Sequence, residues 1–211
     1  MRDHIMLSEN DRATSVVFVV GEHTNGNVQP CESSLFSKHV HEVSGSIDEL
    51  IGLAFDGCYS LTSGEPVPSC QFQATTMCAG KETQFVLAAS EEIYSWGVGS
   101  FGELGQGLCK TKVDNPSAIK HKASFTQLSC GDYHAAALDS IGNAYSWGQN
   151  FDRQLGLYTK KSTEFSRPNC LVEDMSFVPV LLPFSIKSPI TKIACGAMFT
   201  MAISKAGVFV R

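Results

Sequence analysis

The tetrapeptide Tyr-Ser-Trp-Gly occurs twice, at residues 94–97 and 145–148, 51 residues apart. Each copy is followed at the same distance by Leu-Gly, first Leu104-Gly105 and then Leu155-Gly156. A chain that repeats at a fixed period of this size builds one supersecondary unit several times over, and each unit buries its apolar faces against its neighbours. Trp96-Gly97 and Trp147-Gly148 therefore limit the fold more than any other feature.

A second signature precedes each Trp. Thr75-Thr76-Met77-Cys78-Ala79-Gly80 aligns with Thr126-Gln127-Leu128-Ser129-Cys130-Gly131, and both align with Thr191-Lys192-Ile193-Ala194-Cys195-Gly196. Seven places after Gly80, Gly131 and Gly196 stand Leu87, Leu138 and Ile203. Eleven places after them stand Glu91, Gly142 and Gly207. Sixteen places after the first two stand Trp96 and Trp147, so the third unit is expected to reach its Trp at position 212, one past Arg211. On this reading the chain is part of a longer repeat array. A worn copy is expected at 18–28, with Val20 in the Trp place, and a worn hairpin at 54–61 followed by Gly64.

Within a unit, short apolar runs at 85–89 and 135–138 are bounded by Gly, Asp, Ser or Glu, which predicts buried strands separated by turns. The run 140–143, Ser-Ile-Gly-Asn, has turn chemistry. Ala79, Cys130 and Cys195 stand where strands crowd, so these cysteines are read as small core residues; a reactive thiol would need a basic neighbour that the sequence does not supply. A four-stranded sheet of about fifty residues cannot cover itself, but radially stacked copies can. The expectation is an all-β β-propeller with each Trp packed between neighbouring blades.

The Trp-Asp propeller type differs in its period and in the residue after Trp, and the kelch type, though its period is near 50, is less similar because its Gly-Gly doublet is missing here. The combination in Cys130-Gly131-Asp132-Tyr133-His134-Ala135-Ala136-Ala137-Leu138, continued through Tyr145-Ser146-Trp147-Gly148 to Gln154-Leu155-Gly156, resembles the regulator of chromosome condensation repeat family. The resemblance covers 75–211 and is weak over 1–74. It implies a seven-bladed ring, of which this chain holds about three to four blades. The expected organisation is degenerate blades over 1–74 and regular repeats at 75–125, 126–190 and 191–211. The second regular repeat carries an insertion, expected as an irregular surface loop at 159–183, and the third is incomplete. This layout resembles the small members of the family that carry little besides the propeller.

Composition narrows the function. The formal net charge is −5 and the basic clusters are short, which argues against a DNA-binding surface. No apolar run approaches membrane-spanning length, and the N-terminus lacks a secretory apolar region. The eight cysteines form no C-x-x-C pair, so they are expected as reduced thiols of a nuclear or cytoplasmic protein, with no metal site. The sequence carries no phosphate loop, nucleophile elbow or H-E-x-x-H pair. His134 has Thr83 and Phe199 at its equivalent positions, so it is read as a core histidine satisfied by backbone rather than a catalytic one.

No enzymatic activity, cofactor or small-molecule substrate is therefore expected. Two loop sets are candidates for partner contact: Asp132 and Tyr133 ahead of His134, and Gln149, Asn150, Asp152 and Arg153 after Trp147. The leading expectation is a non-catalytic protein–protein interaction module, a regulatory or chromatin-associated scaffold. The family resemblance also implies guanine-nucleotide exchange on a small GTPase as the rival reading.

Overall fold

The computed structural model describes residues 6–8, 16–18, 40–46, 50–54, 57–61, 65–70, 72–108, 110–157, 171–172, 174–183, 185, 188–207 and 209–210. They form seventeen strands. β1 (Met6–Ser8) pairs with β2 (Val16–Phe18), and β3 (Val40–Gly45), β4 (Leu50–Ala54) and β5 (Gly57–Ser60) form a three-stranded sheet. β6 (Ala74–Ala79), β7 (Thr83–Ala88), β8 (Ile93–Val98) and β9 (Lys112–Ala118) form the first complete blade, in sequence order. β10 (Phe125–Cys130), β11 (His134–Asp139), β12 (Ala144–Gln149) and β14 (Met175–Leu181) form the second, with β13 (Leu171–Val172) added at its edge. β15 (Ile190–Gly196), β16 (Phe199–Ser204) and β17 (Phe209–Val210) begin a further one. Every pairing is antiparallel.

The first strands of successive sheets, β3, β6, β10 and β15, lie side by side. Specific hydrogen bonds join them. Glu42 accepts from the Thr76 hydroxyl and from the Met77 amide, each at 3.0 Å. Ser129 Oγ accepts from the Cys195 amide at 2.9 Å. This is the blade-by-blade arrangement of a propeller. The expectation of an all-β incomplete β-propeller holds.

The repeat signature has a physical cause at each position. Trp147 is fully buried between the two complete blades; its ring meets the edge of Phe85, and its indole N–H donates to Glu103 O at 2.8 Å. Trp96 fills the equivalent space against Ile51, Leu53, Met77 and Val86. The Ser of Tyr-Ser-Trp-Gly holds the later Leu: Ser95 Oγ donates to Leu104 O at 2.6 Å, and Ser146 Oγ to Leu155 O at 2.8 Å. Gly97 and Gly148 have φ of 103° and 102°, and a Cβ at Gly148 would meet Tyr133 O at 2.5 Å. That contact leaves room for the Gln149 amide to bond the same carbonyl at 2.8 Å, tying the turn before the second strand to the loop after the third. Gly105 admits the neighbouring Trp, since a Cβ there would lie 2.9 Å from Trp147 Nε1.

The worn hairpin at 54–61 sits in a blade. By register, Tyr59-Ser60-Leu61 occupies the places of Tyr94-Ser95-Trp96, because Leu53 pairs with Cys58 as Leu87 pairs with Ile93. The proposed copy at 18–28 lies outside the described residues beyond Phe18. The expected loop at 159–183 is corrected in its second half. Residues 158–170 lie outside the described residues, but β13 and β14 occupy Leu171–Val172 and Met175–Leu181. Pro179 concealed β14 from sequence reading. It occupies the place of Pro116 in β9, inside an irregularity of the ladder between Ser146 and Gly148 that matches the one between Ser95 and Gly97. Proline is tolerated there because the outer strand need not donate at that point.

The apolar side of β16 is open. Phe199 and Met201 are 45% and 38% exposed, whereas His134, Ala136, Thr83 and Phe85 at the equivalent places are buried under an adjoining blade.

Candidate interaction face

The turns that open each second strand and the loops that follow each Trp emerge at the same end of the sheets, because Thr83 pairs with Gly97 and His134 with Gly148. Three turns run in a line. The Lys81 amide donates to Asp132 O at 2.9 Å, and the Asp132 amide donates to Ala197 O at 3.0 Å. Gly80 and Gly131 permit the approach: a Cβ on Gly80 would collide with Thr83 Oγ1 and crowd the carbonyls of Gly131 and Asp132, and one on Gly131 would collide with Gly196 O.

Outside this line stand the two post-Trp loops. Phe101 of the first loop lies edge-to-face with Tyr133 at 5.7 Å and with Phe151 of the second loop at 5.6 Å. Phe151 is 53% exposed. Lys81 Nζ donates to Tyr133 Oη at 2.8 Å and lies 5.3 Å from the centre of the Tyr133 ring. Its ammonium is held above the ordinary lysine pKa, first by that hydroxyl and then by the nearby Tyr133, Glu82 and Asp132 charges. Glu82, Asp152 and Arg153 are exposed around the aromatic cluster, and Asp132 is half-buried within it.

The interior of the loops is polar and satisfied. Glu103 is buried; its carboxylate accepts the Phe101 amide at 2.7 Å, and burial pushes its pKa up. Gln154 does the same for the Asp152 amide at 2.9 Å. Gln149 and Asn150 are corrected as contact candidates. They are 6% and 4% exposed; Gln149 Oε1 accepts from Gln154 Nε2 and Asn150 Oδ1 accepts from the Leu155 amide, so both shape the loop from beneath. Asp132 and Tyr133 are half-buried in the turn, and Asp152 and Arg153 are exposed in the loop. Lys81, Phe101 and Phe151 belong with them and were not singled out from sequence. Phenylalanine in a loop of Gly, Ser and Asp was the available signal, but Phe101 and Phe151 stand one place apart in the repeat, so the alignment does not pair them.

His134 lies beneath the face between two blades. It is 1% exposed, and Nε2 pairs with Thr200 Oγ1 of the adjoining sheet at 2.9 Å, while Nδ1 has no partner among the described residues. The Thr200 hydroxyl adds to a backbone hydrogen bond with Phe199, the kind of partner expected. Burial lowers its pKa to about 4. Burial likewise raises the Cys195 thiol to about 11 and holds the Cys130 thiol above its usual value, so these are core thiols rather than nucleophiles. Among the described residues, no cluster of His, Cys, Asp and Glu has the geometry of a metal site, and no helix is long and apolar enough to cross a membrane.

The sheet order, the buried Trp pairs and the loop-bearing face define a β-propeller of repeated blades. Residues 90–138 and 142–203, just over half of the chain, match the family model of the Regulator of chromosome condensation (RCC1) repeat. The chain belongs to the regulator of chromosome condensation repeat family.

Among its relatives, the Ultraviolet-B receptor UVR8 of Arabidopsis thaliana is 33% identical over 62% of this chain and 27% of its own length. The X-linked retinitis pigmentosa GTPase regulator of Canis lupus familiaris is 28% identical over 66% of this chain and 13% of its own. The crystal structure of Prp20p from Saccharomyces cerevisiae, studied with its binding to Gsp1p and histones, superposes on 92% of this chain with a TM-score of 0.64 at 16% identity. The chain spans 47% of that structure, and little more than a quarter, or less, of the two curated relatives.

Proposed function

We propose that this chain is a non-catalytic protein–protein interaction module, part of a regulatory or chromatin-associated scaffold, and that it docks partners on the face built from its pre-strand turns and post-Trp loops. The observation that carries this reading is the Phe101–Tyr133–Phe151 cluster, an aromatic group drawn from two blades, with Phe101 and Tyr133 half-buried and Phe151 exposed, and fixed by ordered polar loops. Rigid aromatic side chains ringed by polar groups are what interface centres are made of. The loops are held by buried Glu103, Gln149, Asn150 and Gln154, which favours a pre-formed surface. The partner in this reading is a protein, with neither DNA nor a small-molecule substrate, and the compartment is nucleus or cytoplasm, where the thiols stay reduced.

The test is the affinity of the full chain for a partner before and after Phe151→Ser. This exposed residue can be replaced with less than about 0.5 kcal/mol of stability at stake. Binding that weakens at least about tenfold supports the face; unchanged binding removes it.

The second reading is guanine-nucleotide exchange on a small GTPase, favoured by the relative that is a GTPase regulator and by the Gsp1p binding of Prp20p. A nucleotide-release assay against a panel of small GTPases separates the two. Accelerated release by the full chain replaces the scaffold reading with the exchange reading.

A further inference from the structure

The charges around the aromatic cluster indicate what would fit it. Glu82 and Asp132 stand in the turns of Lys81 and Tyr133, Asp152 follows Phe151, and Lys81, Lys110 and Arg153 are the basic groups among the described residues of these turns and loops. Lys81 is already committed: its ammonium lies on the Tyr133 hydroxyl and over the Tyr133 ring, under the influence of the Glu82 and Asp132 charges. The face therefore holds one cation of its own on a ring face and a phenol hydroxyl, with carboxylate charge nearby, and the same chemistry would recognise a second. Asp152 is adjacent to Phe151, the most exposed of the rings, and its carboxylate has no lysine or arginine within ion-pair distance among the described residues. The acidic excess follows the chain's net charge of −5.

We propose that this face takes a segment of a partner protein in which a lysine or arginine stands next to a bulky apolar residue. The apolar side chain packs on Phe101 and Phe151, and the cation lies against Asp152 and the carboxylates of the turn line. The proposal rests on the reading of this face as the docking surface and adds the chemistry of what docks. Cation–ring contact and a desolvated carboxylate reinforce each other in such a site, while the uncommitted carboxylates repel acidic segments.

The experiment is a selection of phage-displayed random dodecapeptides on the full chain, followed by titration of a fluorescent synthetic copy of the most enriched peptide. The expected result is enrichment of Lys or Arg within two places of Phe, Leu, Ile, Met or Trp. Affinity should fall with rising salt and drop about tenfold or more in the triple variant Glu82→Gln, Asp132→Asn, Asp152→Asn. Circular dichroism of the triple variant controls for folding. Enriched peptides that are acidic or uncharged, or an affinity that ignores the triple variant while Phe151→Ser still abolishes it, overturn this inference and leave the face in place. Binding indifferent to Phe151→Ser, or a selection that enriches nothing above the Phe151→Ser control, overturns the face reading itself and the inference with it.

Discussion

At the scale of single residues, two positions depart from the repeat in ways that have measurable consequences. Trp147 and Trp96 are equivalent in sequence, yet only Trp147 donates its indole N–H, to Glu103 O. The Trp96 nitrogen is buried with no hydrogen-bond partner among the described residues. Trp147→Phe should therefore cost about 1–2 kcal/mol more than Trp96→Phe, since it also strips the buried Glu103 carbonyl of its donor. Chemical unfolding followed by circular dichroism checks this without relying on indole fluorescence. Glu91 is the other case. It holds φ at 67° where its counterparts Gly142 and Gly207 hold 88° and 77°. Glu91→Gly should raise stability by roughly 0.5–1 kcal/mol, because a side chain in that region strains the backbone. The glycines at 142 and 207 were legible as turn residues; the strain at Glu91 was legible only as a mismatch in the alignment.

At the scale of strands and blades, His134 couples two sheets and titrates accordingly. Its folded pKa of about 4 lies below the unfolded value near 6.5 because the buried site disfavours the imidazolium. Between those values the unfolded state binds more protons, so stability falls as pH drops through this window and the contribution levels off below about pH 4. The loss across the whole window is on the order of 3 kcal/mol from this residue. Unfolding at pH 7, 5.5 and 4.5 should show a pH slope that His134→Gln flattens. His121, whose pKa is also lowered by burial, leaves a smaller slope of the same sign.

The blade plan itself was largely readable in the chain. Strands β6, β7, β8, β10, β11 and β12 follow apolar runs and fixed glycines, and the Ser-to-Leu hydrogen bond explains why Leu-Gly keeps its distance from Trp-Gly. The outer strands were not readable. β9 contains Asp114, Asn115 and Pro116, and β14 contains Pro179, so neither shows a buried run. β9 is an edge strand with little burial to write a hydrophobic period, and in β14 the proline interrupts the run.

At the scale of the whole molecule, two surfaces are exposed for different reasons. The apolar side of β16, with Phe199 and Met201 exposed among the described residues, is of the kind that self-associates. Analytical ultracentrifugation of the full chain should show association that rises with concentration and is reduced by Phe199→Lys with Met201→Lys. The loop face is different: its aromatic cluster is partnered internally, ringed by charge and braced by buried polar groups. Its residues were half legible. Asp132, Tyr133, Asp152 and Arg153 stand in loops that sequence alone marks as candidates, but the meeting of Phe101 with Phe151 and Tyr133 depends on how one blade is rotated against the next, which no local pattern encodes. Gln149 and Asn150 misled because polar loop residues are as often braces as contacts. The most direct test of docking on this face is amide hydrogen exchange of the full chain, free and saturated with a basic-apolar peptide that it binds. Docking there predicts slowed exchange at turns 80–83 and 131–134 and loops 99–105 and 149–156, with turns 89–92 and 140–143 at the opposite end unchanged. Slowed exchange at 89–92 and 140–143, with the loops after Trp96 and Trp147 unaffected, would contradict it.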